Sequence, residues 1–300
     1  MAVDPRAFAI RTEGLTKRYD DVLALDGLDL TVEAGEVFGF LGPNGAGKTT
    51  TIRLLLHLAR PTAGSAWVMG IPVSDVAEAH RHVGYVSGDV ALWPQLTGTE
   101  VLHLLGNLSG GVDEAYRDEL LERLELDPTR RVRNLSKGNR QKLALVAALM
   151  HRPDVLLLDE PTAGLDPLKE AEFQQVVREA AARGQTVFLS SHILDEVEDI
   201  CSRVAILRAG RLVEVSTLDA LRQKGVTVFD VLLDGTVPTF AGVPGVVAES
   251  PLDGGVRVSV TGSPRALLAE LGRQPVLSLA SREPDLEEVF LGYYGVEDRR

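Results

Sequence analysis

Apolar and polar positions alternate in short runs through the first forty residues, as in LALDGLDLTVEAGEVFGFL. This period of two predicts β-hairpins that feed a buried strand at Val37–Leu41. A glycine-rich turn follows. TTTIRLLLHLARPTAG then predicts a helix closed by Pro61 and Gly64, and DEAYRDELLERLEL an amphipathic one. Further on, DVLLLDEP and TVFLSSH contain short apolar runs of the kind buried centrally in a parallel sheet with helices on both faces. Strands alternating with helices predict an α/β fold. The texture changes near Gln223-Lys224-Gly225. Beyond it TVFDVLL, GVRVSVTG and PRALLAEL, separated by glycines and prolines, predict a small α+β domain over 224–300 behind a larger domain over 1–223. The closing PDLEEVFLGYYG reads as an Asp-started amphipathic helix.

Composition narrows the picture. A length of 300 residues suits one large domain with an appendage, and 45% hydrophobic residues suffice for a full core. The formal charge of -12 argues against a nucleic-acid partner, because phosphate backbones are bound largely through Lys and Arg. The single Cys201 can form no internal disulfide and reads as a small buried hydrophobe, consistent with a reducing compartment. The start, MAVDPRAFAI, lacks the apolar stretch of a signal peptide, and no window reaches the roughly 18 apolar residues of a membrane helix. The chain alone is expected to cross no membrane.

Four segments carry chemistry. FLGPNGAGKTT follows a strand, opens a helix and fits G-x-x-x-x-G-K-[ST] with Gly42, Gly47, Lys48 and Thr49 in the fixed places. The backbone across Asn44, Gly45, Ala46 and Gly47, together with the helix start at Lys48, Thr49 and Thr50, can curl around phosphate oxygens. Lys48 reaches the β/γ-phosphates, and the Thr49 hydroxyl ligates Mg²⁺. In VLLLDEP, Asp159 at a buried strand tip needs a cation to face, and Glu160 is the natural base for an attacking water; two acids capping a strand end is the plainer reading. NLSKGNRQKLALVAALM places Ser136 and Gly138 at the mouth of a second helix, another anion-binding start that one nucleotide does not need. FLSSHILDE places His192 at the end of an apolar strand, within reach of a γ-phosphate.

The set resembles the nucleotide-binding subunit of an ATP-binding cassette (ABC) transporter from about Ile10 to Thr217. Its motifs run in the family's order: Tyr19, Walker A at Gly42–Thr50, the loop at Gly84–Asp89, the signature LSKGN at Leu135–Asn139, Walker B at Val155–Glu160, the D-loop at Gly164–Asp166 and the switch His192. The resemblance implies a P-loop cassette fold: a mixed core sheet with flanking helices, an antiparallel β subdomain and a helical signature subdomain over about 90–150. It implies an ATPase that binds ATP and Mg²⁺, with catalytic Glu160 and His192. The metal would be held by Thr49 and Asp159. Two copies would pair head to tail, so that Ser136, Gly138 and Asn139 touch the γ-phosphate bound by the partner while Asp166 couples the two sites. Tyr19 would stack on adenine, or is an ordinary aromatic at a strand end. The subunit would lie on the cytoplasmic face of the membrane, attached to a separate polytopic permease.

Departures from the usual pattern matter. Lys137 and Asn139 replace the first Gly and the final Gln of Leu-Ser-Gly-Gly-Gln, and Lys137 points either to solvent or to phosphate. The loop VGYVSGDVALWP has Gly88 where the family presents a Gln, so Asp89 is the candidate to reach the metal instead. Trp93 and Pro94 are candidate permease contacts, with burial an equal alternative for the Trp. The tail resembles that of bacterial exporters of drugs, antibiotics or lipids. The alternative is a soluble regulatory ATPase or a degenerate ATP-binding partner.

Overall fold

The computed structural model describes residues 8–224 and 226–282. The chain divides into two compact units, Met1–Val215 and Ser216–Arg300. The boundary expected at 223/224 thus lies eight residues beyond this division.

In the first unit β1 (Phe8–Tyr19) and β2 (Val22–Glu33) form a hairpin whose turn puts Asp20 at φ 46°, a left-handed conformation that Asp tolerates. Inward positions Leu25, Leu28, Leu30 and Val32 are buried, as the alternation predicts. Next come β3 (Val37–Leu41), α1 (Lys48–Leu55), β4 (Ala63–Val68) and β5 (Ile71–Pro72). The helix expected to run to Pro61 and Gly64 ends at Leu55. His57 leaves it at φ 51°, and Gly64, at φ 78°, belongs to β4. Leu54, Leu55 and Leu56 are already buried, so the apolar run is spent before the proline is reached.

A short α2 (Val76–Ala79) and a 3₁₀ turn lead to β6 (Val83–Val86), followed by three helices: α3 (Gly98–Leu108), α4 (Glu114–Arg123) and α5 (Lys137–Leu149). Thr97 and Glu100 form a capping box on α3, and Asp113 caps α4 by accepting from the Tyr116 amide. Then come β7 (Val155–Asp159), α6 (Pro167–Ala182), β8 (Thr186–Ser191), α7 (Leu194–Glu198), β9 (Arg203–Arg208) and β10 (Arg211–Thr217).

Two sheets result, an antiparallel one in the order β2-β1-β4-β5 and a six-stranded one in the order β10-β9-β3-β8-β7-β6. In the second, β3 pairs parallel with β8 and β9, and β7 pairs parallel with β6 and β8. Every residue of β3, β7 and β8 is buried. One apolar cluster joins α1 to strands of both sheets, with Phe40 and Phe188 at 5.0 Å between ring centres. No helix among the described residues is long and apolar enough to cross a membrane.

The second unit holds α8 (Leu218–Lys224), β11 (Val226–Leu233), β12 (Val246–Leu252), β13 (Gly255–Thr261), α9 (Arg265–Leu271) and β14 (Val276–Arg282). Its antiparallel sheet, ordered β12-β13-β11-β14, has its own core around Phe229, Phe240, Val258 and Leu267. The helix expected at PDLEEVFLGYYG lies outside the described residues.

Candidate functional site

Strand register assembles the site. Parallel pairing sets Leu41 of β3 opposite Ser191 of β8, and Asp159 of β7 opposite Ser190, so three strand tips end on one edge of the sheet. That carboxyl edge is where open α/β sheets bind ligands.

The glycine-rich loop bridges the β3 tip to α1. Gly47, the residue before the helix, has φ 114°, and a Cβ there would lie 2.7 Å from the Ala24 carbonyl; only glycine fits both demands. Lys48 is 5% exposed. Its ammonium donates to the Gly42 carbonyl at 2.6 Å and to that of Pro43 at 3.3 Å, and lies 3.8 Å from Glu160 Oε1. Burial lowers the Lys48 pKa, and the carboxylates of Glu160 and Asp159 work against that shift. A buried cation aimed along the loop is a counter-charge for phosphate.

Thr49 donates its hydroxyl to Asp159 Oδ2 at 2.8 Å, and Ser190 donates to Oδ1. The buried Asp159 carboxylate is therefore satisfied on both oxygens. Glu160 follows with φ 46°, a left-handed conformation that favours glycine, pinned by its amide donating to the Ser190 carbonyl at 3.0 Å. This turn aims the Glu160 carboxylate out of the strand, where Oε1 lies 3.0 Å from His192 Nδ1. Glu160 and His192, the expected base and switch histidine, are thus in direct contact.

A cleft of about 270 Å³ is lined by Tyr19, Ala24, Asn44, Gly45, Gly47, Lys48, Thr49, Thr50 and Glu160. Tyr19 is 40% exposed, with Lys17 Nζ 4.7 Å from its ring centre. Ala46, expected among the nucleotide contacts, turns its side chain into the core.

The signature segment is not part of this lining. Ser136 is exposed and caps α5, accepting from the Asn139 amide at 3.2 Å. A Cβ on Gly138 would lie 2.5 Å from the Gly164 carbonyl, so signature and D-loop touch within one chain. Asp166 caps α6, accepting from the Lys169 amide at 3.1 Å, with Pro167 at the first helical position.

In the loop after β6, a Cβ on Gly88 would lie 3.1 Å from the Asp159 carbonyl and 3.6 Å from the Glu160 Cβ. Position 88 therefore abuts the tip of β7 beside Asp159 and Glu160. Asp89, expected as a metal ligand, is exposed. Among the described residues no three His, Cys, Asp or Glu side chains gather to hold a metal. Trp93 is 46% exposed.

Two participants escaped the sequence reading. Ser190 was legible only as a hydroxyl in an otherwise apolar strand. Gln141, 1% exposed on the apolar face of α5, donates to the Pro161 carbonyl at 2.8 Å and ties the signature helix to the segment after Glu160.

A family model described as "ABC transporter" matches residues 25–163. The chain is 41% identical to the daunorubicin resistance ATP-binding protein DrrA3 of Streptomyces coeruleorubidus, over 97% of each chain. It is 35% identical to the Nod factor export ATP-binding protein I of Burkholderia orbicola (strain AU 1054), over 99% of each. Among solved structures, a dimeric ATP-binding cassette in a post-hydrolysis state with ADP and Pi matches at TM-score 0.64 and 25% identity, over 70% of this chain and 98% of that one. With the phosphate loop, paired carboxylates and histidine already in place on the sheet edge, the chain belongs to the ATP-binding subunits of ABC transporters, enzymes whose ATP hydrolysis is coupled to transport.

Proposed function

We propose that this subunit powers export of a drug-like, antibiotic or lipid molecule. It works as a head-to-tail pair of identical copies, held at the cytoplasmic face of the membrane by a separate polytopic permease. The observation that carries the pairing is the distribution of parts: one chain holds a phosphate-binding cleft and, outside that cleft's lining, an exposed Ser136-capped helix start. A second copy supplies its Ser136, Gly138 and Asn139 to the γ-phosphate in this cleft, and Asp166 lies where the two sites would communicate. Export is supported by relatives whose similarity extends through the second unit.

In the cleft the loop amides, Lys48 and the α1 start hold the phosphates, and Tyr19 offers its ring to the base. Thr49 Oγ1 and Asp159 Oδ2, two hard oxygens already 2.8 Å apart, suit Mg²⁺, which when bound neutralises phosphate charge. Glu160 takes the proton of the attacking water as oxygen bonds to the γ-phosphorus and the bond to the ADP oxygen breaks. His192 orients Glu160 through the 3.0 Å contact and faces the γ-phosphate. Binding closes the pair and hydrolysis opens it.

Sedimentation of the Glu160→Gln chain tests the pairing: ATP should convert it from monomer to dimer, and a monomer at saturating ATP counts against it. Reconstitution with the membrane protein it co-purifies with tests export, read as ATP-driven accumulation of an amphipathic dye in inverted vesicles.

A further inference from the structure

A buried carboxylate that the reaction above does not use grips sequence neighbours of both of its key residues. Glu196, on α7, is 4% exposed. Its Oε1 accepts from Thr162 Oγ1 at 2.5 Å and its Oε2 from Ser191 Oγ at 2.8 Å. Thr162 lies two residues after Glu160, and Ser191 immediately precedes His192. Ser191 Oγ in turn accepts from the Ile193 amide at 2.9 Å, on the far side of the histidine. One carboxylate therefore fastens the exit of the β7 turn to the β8 tip.

We propose that Glu196 is a positioning residue for hydrolysis, holding Glu160 and His192 in the mutual geometry that the water-activating step needs. Glu160 sits at φ 46°, a conformation a non-glycine residue keeps only when its flanks are fixed. Its amide is held by the Ser190 carbonyl on the entry side, and Thr162 is held by Glu196 on the exit side. Burying a carboxylate is costly unless donors satisfy it, and hydrogen bonds to a charged acceptor are short and directional. The hydroxyls of Thr162 and Ser191, 8% and 1% exposed, make this fork rigid. This role for Glu196 rests on Glu160 and His192 running hydrolysis, as proposed above.

The test uses the full chain, reading steady-state ATPase, equilibrium binding of trinitrophenyl-ATP and thermal unfolding. Glu196→Gln, and independently Thr162→Val, should lower kcat about 10- to 100-fold, because small misplacements of reacting groups cost that much. KM, the binding constant and the melting temperature should stay near wild type, and Thr162→Ser should restore turnover. In a Glu160→Gln background, Glu196→Gln should have no further effect, since residues acting as a unit are non-additive. A folded Glu196→Gln or Thr162→Val with wild-type kcat overturns the proposal. So does a loss carried by KM or stability alone, or one additive with Glu160→Gln. If Glu160→Gln by itself turns over normally, the assignment of the base fails, and this proposal with it.

Discussion

Thr49 donates its hydroxyl to the Asp159 carboxylate over 2.8 Å, joining the first turn of α1 to the tip of β7 across 110 residues of sequence. With Ser190 on the other oxygen, three segments are joined by direct hydrogen bonds beside the cleft that Thr49 lines. Such preorganisation means that little of the site must be rebuilt when substrate arrives.

Glu160→Gln keeps the shape of the side chain and removes its basicity. It should lower kcat by about 10²- to 10⁴-fold while nucleotide affinity holds. Single-turnover hydrolysis and a binding titration on the same preparation separate the two effects. Parallel loss of both would place Glu160 in binding rather than proton transfer.

Asp89→Ala should leave Mg²⁺-dependent ATPase within about twofold of wild type, a size typical of surface changes away from the chemistry. Asp89 is exposed, whereas Gly88 meets the Asp159 carbonyl. A shift in the Mg²⁺ concentration for half-maximal rate would place the carboxylate at the metal site.

Gly138→Ala pushes a methyl group toward the Gly164 carbonyl, at 2.5 Å without relaxation, so the D-loop backbone must move. Turnover should fall about tenfold or more while ATP binding in the cleft, which Gly138 does not line, persists. Equal weakening of binding and turnover would contradict a role confined to the assembled pair.

The Arg123 guanidinium on α4 donates to Glu172 at 2.6 Å and to Glu179 at 2.7 Å, both on α6. The Glu179 carboxyl is held below its ordinary 4.5, first by the hydrogen bond from Arg123 and then by that from Gln175. A depressed carboxyl contributes stability that is complete above the unfolded value and is lost as pH falls through the folded one. Arg123→Met should therefore cost about 1–2 kcal/mol at neutral pH, and the difference from wild type should shrink in acid well below pH 4.5. Urea unfolding at the two pH values measures it; a pH-independent difference would locate the effect in packing instead.

Local patterns carried the reading where the chemistry is local. The spacing of Gly42, Gly47, Lys48 and Thr49 and the apolar runs ending at Leu41, Asp159 and Ser191 needed no partner to be recognised, because phosphate cradles and buried strands are written in contiguous residues. The helix after Thr49 was overextended because Pro61 and Gly64 look like stop signals, while the left-handed turn at His57 has no sequence mark.

By itself, then, the sequence determined the alternation of strands with helices and the phosphate loop, and it singled out Glu160 and His192 as the candidate base and switch residues. Only the tertiary structure decided that Ser190 and Thr49 share Asp159, that Gln141 braces Pro161, that Asp89 is exposed and that Glu196 ties Thr162 to Ser191. These relationships depend on strand register. Placing β8 between β3 and β7 in parallel brings tips from distant parts of the chain to one edge, and no local periodicity encodes which hydroxyl then meets which carboxylate.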